Sequence, residues 1–556
     1  MRTHIIFISV LALCVGCSKS STPESTEPKT PLYDNLGSLH HQITTSSPEA
    51  QRYFNQGFTL SYAFNHAEAI RSFRQAAAID PDCAMCYWGV AFALGPNINA
   101  PITPEAAKEA FEAIGHARER AAKATAKEQA YIEALAKRYS SDPKAERPPL
   151  DAAYAAAMRE VVKKFPEDLD AATLYAQSLM DTAPWAYWNA DGSPRPFTND
   201  VLSSLESVLQ RKGDHVGAIH LYIHAVEASP NPARAEQYAD RLPALVPGAG
   251  HLVHMPAHIY LRTGRYNDAS TANENAIKAD AAYQQGNRAS GNMMYDIGYV
   301  PHNPHFFVMS ASLEGRRADA LKAADDVRGK MHASMLRDPS MGGMVQHMML
   351  TPMFARLRFG MWKDILAEPL PPTDIPYMQA VSHALRSIAY SATGQLDAAE
   401  AALAAAMAAK GNPALKTMYI SSVNVGSAVA DIAYEVAAGE LRARQKRAAD
   451  AAKHFATAVA LEDKLTYMEP PDWPVPVRQL QGAALLALGR AAEAEAAFQG
   501  DLKKYPGNGW SLSGLHESRV RQGRERDEAT ITLRTQLQEA WKRADVKIEG
   551  GRVAAE

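Results

Sequence analysis

Histidines recur in one stretch of this chain at spacings that suit shared chemistry. The sequence holds 18 histidines in 556 residues. Eight of them follow helix-like intervals: His220, His224, His251, His254, His258, His302, His305 and His347. Neutral imidazole is the commonest metal ligand in proteins. A His-x3-His pair places two rings on one side of a helix, one turn apart, as a shared ion requires. The spacing therefore predicts a histidine-rich metal site.

The ligand types indicate copper or zinc. Zinc accepts three histidines and a water, which leaves an open position for chemistry. Copper is favoured by the affinity order, and methionine thioethers suit its reduced form. Met255 and Met348 lie close to the histidines in sequence. Two carboxylates, Glu227 and Asp296, are candidates to orient a ring or to act as a general base.

These histidines must be carried by helices, because the chain is rich in alanine and its β-branched runs are short. A helix–turn–helix period of about 34 residues is visible near both ends. The first copy is marked by Tyr53, Gly57, Leu60, Ala69, Phe73, Ala76 and Pro81, and a late copy by Gly482, Gly489, Ala494, Phe498 and Pro506. Small residues let the two helices approach, and proline stops the second one. The pattern resembles tetratricopeptide repeats. That resemblance implies an all-α, right-handed α-solenoid with irregular loop insertions.

Weaker copies of the repeat fill the middle of the chain, with frames that start at Val216, Gly250, Pro301 and Gln346. In tetratricopeptide arrays the first helix of each repeat lines a concave groove. Three such groove positions in each of these four repeats make twelve, and eight of the twelve are histidine. The segment from Gly250 to His258 is similar to a motif in a group of exported bacterial repeat proteins. The histidines are therefore expected to share one local site inside the groove.

Irregular stretches interrupt the period and are expected on the binding face, where solenoid insertions collect. One runs from Thr182 to Pro196 and carries Trp185 and Trp188. Another includes Tyr295. Such aromatic loops could cover the groove as a lid and contact a small-molecule, peptide or glycan ligand.

The N-terminus reads as a targeting segment. Arg2 precedes an apolar stretch too short to span a bilayer, and the small residue Gly16 lies directly before Cys17. This resembles a bacterial lipobox, which implies acylation of Cys17 and an exported protein anchored in the cell envelope, at the periplasmic face of the outer membrane. The interpretation divides the chain into a signal peptide (1–17), a disordered tether (18–45) and one solenoid (46–556). The solenoid comprises N-terminal repeats (46–215), histidine-rich central repeats (216–365) and C-terminal repeats with a cap (366–556).

Two cysteines remain in the folded part, Cys83 and Cys86. An oxidising compartment permits a local disulfide between them. A C-x-x-C pair can also hold metal or perform redox chemistry, but Tyr87 follows, so this is not a haem-attachment motif. A structural role, as a disulfide or as packed thiols, is the favoured interpretation.

Two functions follow from these patterns. The leading hypothesis is an envelope lipoprotein with a metal site in its groove, as a metal-dependent hydrolase or oxidoreductase or as a metal-handling protein. The alternative is a non-enzymatic scaffold whose groove binds a peptide, a glycan or a protein partner. Nucleic acid is not an expected partner, since charges are balanced (Lys+Arg 58, Asp+Glu 61) and dispersed. The membrane is expected to be contacted through the lipid anchor only.

Overall fold

The computed structural model describes residues 30–142, 144–286, 288 and 292–554. The signal peptide, Cys17 and residues 18–29 of the tether predicted from the sequence lie outside the described residues. Within the described part the protein is all-α, apart from one small β-hairpin near the C-terminus. The prediction of an all-α solenoid of helix–turn–helix repeats is confirmed.

The N-terminal half of the described chain contains the following α-helices: α1 (Pro48–Tyr62), α2 (His66–Ile79), α3 (Ala84–Leu94), α4 (Pro104–Arg120), α5 (Ala126–Ala136), α6 (Arg147–Lys164), α7 (Leu169–Asp181), α8 (Thr198–Arg211), α9 (Val216–Val226), α10 (Glu236–Ala239), α11 (Leu242–Leu245), α12 (Gly250–His254), α13 (Pro256–Thr263) and α14 (Tyr266–Gln285). The C-terminal half contains α15 (Val300–Leu313), α16 (Arg317–Lys330), α17 (Gly342–Met349), α18 (Thr351–Arg358), α19 (Trp362–Ala367), α20 (Pro376–Ala392), α21 (Leu396–Lys410), α22 (Gly426–Arg444), α23 (Ala448–Glu462), α24 (Val477–Ala487), α25 (Ala491–Lys504), α26 (Gly509–Val520) and α27 (Glu528–Ala540). The hairpin pairs β1 (Ile548–Glu549) with β2 (Arg552–Val553). Shorter turns of 3-10 or π-helix are Ala121–Lys123, Pro232–Ala235, Tyr295–Tyr299, Ala333–Arg337 and Pro413–Lys416.

Successive helices pack in pairs, as in α1 with α2, α15 with α16 and α22 with α23. Glycine permits the close approach within the first pair, since a Cβ at Gly57 would lie 2.9 Å from the Phe73 ring. Five turns between paired helices carry a glycine at positive φ, between 64° and 80°: Gly264, Gly315, Gly360, Gly394 and Gly489. Gly489, one of the residues that mark the late copy of the repeat in the sequence, lies at such a turn.

The Cys83–Cys86 pair lies where α3 begins. Cys83 and Cys86 are joined in a disulfide, with an S–S distance of 2.06 Å. Both residues are buried in the apolar core. The bond ties the entry of α3 to its own first turn, which is a structural role.

The array curls until distant repeats touch. The Tyr266 hydroxyl donates to the carbonyl of Pro506 (2.9 Å), and the indole of Trp510 donates to the carbonyl of Ser312 (2.7 Å). The C-terminal helices therefore pack against the central repeats. As a result the loop between α23 and α24, residues 463–476, reaches the interior beside α13. We call it the crossing loop.

Within the described residues no helix is both long enough and apolar enough to cross a membrane.

Candidate metal centre

Six of the eight sequence-predicted histidines gather into two adjacent groups on the inner face of α9, α12, α13 and α15. The first cluster is His220, His224 and His251, and the second cluster is His254, His258 and His302. Within each cluster one ligand nitrogen from every ring lies within 4.8 Å of the other two. The clusters adjoin, since the rings of His224 and His258 have centroids 5.6 Å apart.

The rings of the second cluster are held from behind by hydrogen bonds. His254 Nδ1 lies 2.7 Å from Asn273 Oδ1, and the Asn273 amide nitrogen donates to the carbonyl of Ala269. The amide oxygen therefore faces the ring, so His254 Nδ1 is the donor. His258 Nδ1 donates to a Glu227 carboxylate oxygen at 2.5 Å. Each of these rings consequently directs the lone pair of Nε2 into the cluster.

Those lone pairs meet at short distances. His254 Nε2 lies 2.8 Å from His258 Nε2 and 3.0 Å from His302 Nε2. Two acceptor nitrogens this close repel each other unless a cation lies between them. An ion bound by nitrogen at about 2.0–2.1 Å in a tetrahedral site sets its ligands about 3.3 Å apart. The second cluster therefore has nearly the spacing of a metal-bound set.

Two rings of the first cluster, His220 and His224, are held in the same way, whereas the buried Nδ1 of His251 has no hydrogen-bond partner among the described residues. His220 Nδ1 donates to the carbonyl of Tyr62 at 2.6 Å, and its Nε2 lies 3.1 Å from His251 Nε2. The Tyr62 carbonyl is available because α1 ends there, and the last carbonyls of a helix have no partner within the helix. His224 Nδ1 donates to Glu227 at 2.9 Å. The buried Nε2 of His224 has no hydrogen-bond partner among the described residues.

Glu227 joins the two clusters. Its Oε1 accepts from His224 of the first cluster and its Oε2 from His258 of the second. It is fully buried. Burial would raise the pKa of Glu227, but the neighbouring His258 and His224 outweigh burial and hold that pKa at about 2. One ionised carboxylate thus fixes a ring in each cluster, the arrangement by which proteins orient metal-bound histidines.

A second carboxylate arrives from a distant repeat. Glu469 of the crossing loop lies with Oε2 3.4 Å from His258 Nδ1 and accepts a hydrogen bond from the Tyr467 hydroxyl. Burial and the nearby charge of Glu227 raise the pKa of Glu469 well above its usual range. Glu227, His258 and Glu469 form a third group of ligand atoms within 4.8 Å of one another.

Four of the six imidazoles are held neutral. Burial, followed by the neighbouring imidazoles, lowers the pKa of His251, His254 and His302 well below the usual value. Burial and His224 act in the same direction on His220. A neutral ring is the form that binds a metal ion.

A buried network fixes the helices that carry these rings. The Asp280 carboxylate accepts from the Tyr295 hydroxyl (2.8 Å) and from the Asn303 amide (2.7 Å). Its Oδ1 would lie 1.9 Å from a Cβ at position 250, so only Gly250 fits there. Asp280 therefore locks the start of α12, the turn before α15 and α15 itself. This places His251 and His302 relative to each other.

Two aromatic residues in left-handed backbone conformations pack against the first cluster. Phe64 (φ 56°) lies with its ring centroid 4.5 Å from that of His220. Trp185 (φ 62°) lies 5.2 Å from His224, ring centroid to ring centroid. Backbone strain of this kind persists only where the surroundings enforce it, and it concentrates at functional sites.

The remaining predicted residues lie elsewhere. His305 and His347 are outside both clusters, with ring centroids 6.2 Å apart, and they line a cavity beside the clusters. Asp296 pairs with Arg288 at 2.5 Å. Of the predicted lid residues, Trp185 lines the cavity. The Trp188 indole instead donates to the carbonyl of Ala225, and Tyr295 bonds to Asp280.

Sequence reasoning missed the partners of the rings: Tyr62, Phe64, Asn273, Asp280 and Glu469. Asn273 and Asp280 could have been noticed as polar residues on the buried face of α14. The proline-rich crossing loop carries no signal that places Glu469 at the site, because its approach depends on the curl of the whole array.

Comparisons with known proteins support the repeat character of the chain. A tetratricopeptide repeat family model matches residues 50–83, the α1–α2 pair. The comparison with curated proteins gave no match.

Solved structures of low identity were also found. The chain is similar to human IFIT1, solved as a dimer with m7Gppp-AAAA, at 13% identity and a TM-score of 0.31, covering 90% of this chain and 91% of that one. It is similar to yeast Tom70 at 10% identity and a TM-score of 0.28, covering 88% and 93%. A third is the tetratricopeptide domain of P58(IPK), at 10% identity and a TM-score of 0.20, covering 86% and 99%. These likenesses say nothing about what this chain binds.

Proposed function

We propose that this protein binds a pair of transition-metal ions, copper or zinc, in its two three-histidine clusters. The observation that carries the proposal is the contact between His254 Nε2 and His258 Nε2 at 2.8 Å, where both rings donate from Nδ1. A proton between them would make one ring an imidazolium among five other imidazoles, with Glu227 as its counter-charge. A metal ion between them would replace the repulsion with two coordinate bonds.

The charge balance of the site favours a cation. Glu227 carries a negative charge at the junction of the clusters, and Glu469 adds a second carboxyl group beside it. The guanidinium of Arg262 lies nearby, but it donates to the main-chain carbonyl of Glu227 and not to its carboxylate. Copper is favoured over zinc by the affinity order for imidazole ligands. Three histidines leave a coordination position open, so the site supports metal-dependent catalysis as well as metal storage.

Metal analysis of the purified protein tests the proposal. After loading with Cu(II) or Zn(II) and removal of free ion, we expect about two equivalents of metal per chain by mass spectrometry of the metal content. Less than a tenth of an equivalent of either metal would sink the proposal. One equivalent would restrict it to a single cluster.

A protein-interaction scaffold is the second candidate, and the match of residues 50–83 to a tetratricopeptide repeat favours it. Exposed apolar side chains that a partner could cover include Phe111 and Tyr419. If this candidate is right, charged substitutions there should abolish binding of a co-purifying partner, while His254→Ala should leave that binding unchanged.

We further propose that the chain is exported and anchored through acylated Cys17. The support is the apolar segment and the small residue that precede this cysteine. Incorporation of labelled palmitate in a bacterial host tests it: Cys17→Ser should remove the label and release the protein from the membrane fraction. Equal labelling of both proteins would contradict the anchor.

A further inference from the structure

A cavity of about 160 Å³ lies directly beside the two clusters. Part of its wall is made by cluster members, among them His224, His258 and His302. The lining also includes residues of the crossing loop and of α17. Met294, which also lines the cavity, is 43% exposed and marks its mouth. A molecule that enters the cavity therefore meets the face of the metal centre.

The size of the cavity limits the ligand. An engineered cavity of about 150 Å³ in another protein holds one benzene molecule. A peptide segment or an oligosaccharide, two of the three ligand classes predicted from the sequence, exceeds this volume, whereas the third, a small molecule, does not. The cavity fits a molecule with a single six-membered ring.

The lining of the cavity favours an aromatic ring. Four methionines contribute side chains: Met294, Met344, Met348 and Met468. Thioether sulfur makes favourable contacts with aromatic edges, worth about 0.3–1.5 kcal/mol each. Tyr299 and Trp185 add aromatic faces. The apolar part of this wall is thus suited to a flat, polarisable ring.

Two imidazoles supply polar contacts at one place in this lining. His305 forms no hydrogen bond with any described residue. His347 Nδ1 is bonded to the Tyr377 hydroxyl at 2.7 Å, while its Nε2 lies 4.0 Å from Asp472 Oδ1, beyond hydrogen-bond range. Both rings line the cavity with nitrogen atoms that remain available to a ligand. Two free imidazole nitrogens can donate to and accept from one hydroxyl group.

We infer that this cavity is the substrate chamber of the metal centre and binds a single-ring aromatic alcohol, a phenol. The ring lies among the methionines, and the hydroxyl group bonds to His305 and His347. This inference rests on the proposed function, since the chamber shares four imidazoles with the metal clusters: His224, His251, His258 and His302.

Binding of 4-fluorophenol, followed by fluorine NMR on the metal-free full-length protein, tests the chamber separately from the metal. We expect saturable binding that phenol displaces and that cyclohexanol displaces at least tenfold less well. Met348→Trp fills the cavity and should weaken binding at least tenfold. The matched control is Met407→Trp, at a methionine that is 45% exposed on α21, and it should bind like the wild type.

The role of the imidazoles is tested with a ligand that lacks the hydroxyl group. His305→Leu should weaken 4-fluorophenol about tenfold, the effect of one lost hydrogen bond, and should leave fluorobenzene binding unchanged. Binding unaffected by Met348→Trp would overturn the inference. Equal displacement by cyclohexanol and phenol would overturn the choice of an aromatic ligand, and an equal loss of fluorobenzene would overturn the hydroxyl contact.

The two proposals can fail independently. Two metal equivalents with no binding of 4-fluorophenol would remove the chamber and leave the metal centre. Binding of 4-fluorophenol with no metal would remove the metal centre and leave a phenol-binding cavity.

Discussion

Two histidine networks of this molecule lie close together and differ in what their rings face. In the N-terminal network, Asp170 accepts from His41 Nδ1 at 2.6 Å and from His215 Nε2 at 3.1 Å. His215 Nδ1 also accepts the amide N–H of Ala218, so both of its nitrogens are used. Only five positions later on the same helix, His220 directs Nε2 at another imidazole.

The difference shows that a buried histidine is not by itself a metal ligand. A ring is a structural element where a carboxylate accepts its N–H and a backbone amide N–H donates to its other nitrogen. Where a carbonyl or carboxylate behind the ring holds Nδ1, the lone pair of Nε2 is left for an ion. The orientation of each ring, set by its neighbours, distinguishes the two networks.

The largest expected effect separates the networks by metal content. His254→Ala removes a nitrogen from the second cluster, so we expect the loss of about one of two metal equivalents. His215→Ala should retain both, because that ring has no free lone pair. Metal content of the two purified variants at equal helicity checks this. A loss of metal in His215→Ala would erase the distinction between the networks.

For the stability of the fold, in contrast to metal content, we expect the larger effect in the N-terminal network. Asp170→Asn removes a largely buried charge that accepts hydrogen bonds from His41, His215 and Tyr62, and we expect the free energy of unfolding at pH 7 to fall by about 3 kcal/mol. Burial raises the pKa of Asp170, but hydrogen bonds from His215 and His41 outweigh it and lower that pKa below its ordinary value. A depressed carboxyl pKa stabilises the fold above about pH 4 and ceases to do so as the pH falls further. Urea unfolding should therefore show the difference between variant and wild type narrowing below pH 4, with metal content unchanged at neutral pH.

The junction between the clusters should matter to both ions. In Glu227→Gln the charge that orients His224 and His258 is lost, and we expect metal affinity to fall about 10–100-fold at both clusters. The matched control is Glu435→Gln, which disturbs a His454–Glu435 pair of 2.7 Å far from the site. Competition with a chelator measures both variants. A fall at one cluster only would show that Glu227 does not couple them.

The smallest expected effect is on the pH dependence of stability, and it concerns His347, one of the two histidines that line the chamber outside the clusters. Burial lowers the pKa of His347 to about 3, against about 6.5 in the unfolded chain. Below pH 6.5 His347 therefore binds a proton in the unfolded chain but stays neutral in the folded protein. His347 consequently destabilises the fold as the pH falls. Between pH 7 and pH 5.5 the wild type should lose about 1 kcal/mol more stability than His347→Phe. Urea unfolding of the metal-free proteins measures this, and identical slopes would contradict a buried neutral His347.

The sequence alone determined the repeat architecture and most of the histidines that gather in the two clusters. Spacings such as Gly57 to Phe73 express contacts between neighbouring helices, and such contacts leave a local pattern that one sequence displays. The intervals from His251 to His258 are likewise local, because they express one face of one repeat. All eight predicted histidines do line the interior or its cavity, yet only six of them form the two clusters.

Only the tertiary structure decided how these rings are used. The division into two clusters depends on how α9, α12 and α15 pack against one another. The position of the single carboxylate between the two clusters depends on the angle at which these helices meet. Asp296, which is close to the histidines in sequence, is drawn to Arg288 instead. Glu469 lies more than 200 positions from His258 along the chain and reaches it because the array curls. Contacts of that range arise from many small helix-packing angles added together, and no local interval in the sequence records their sum.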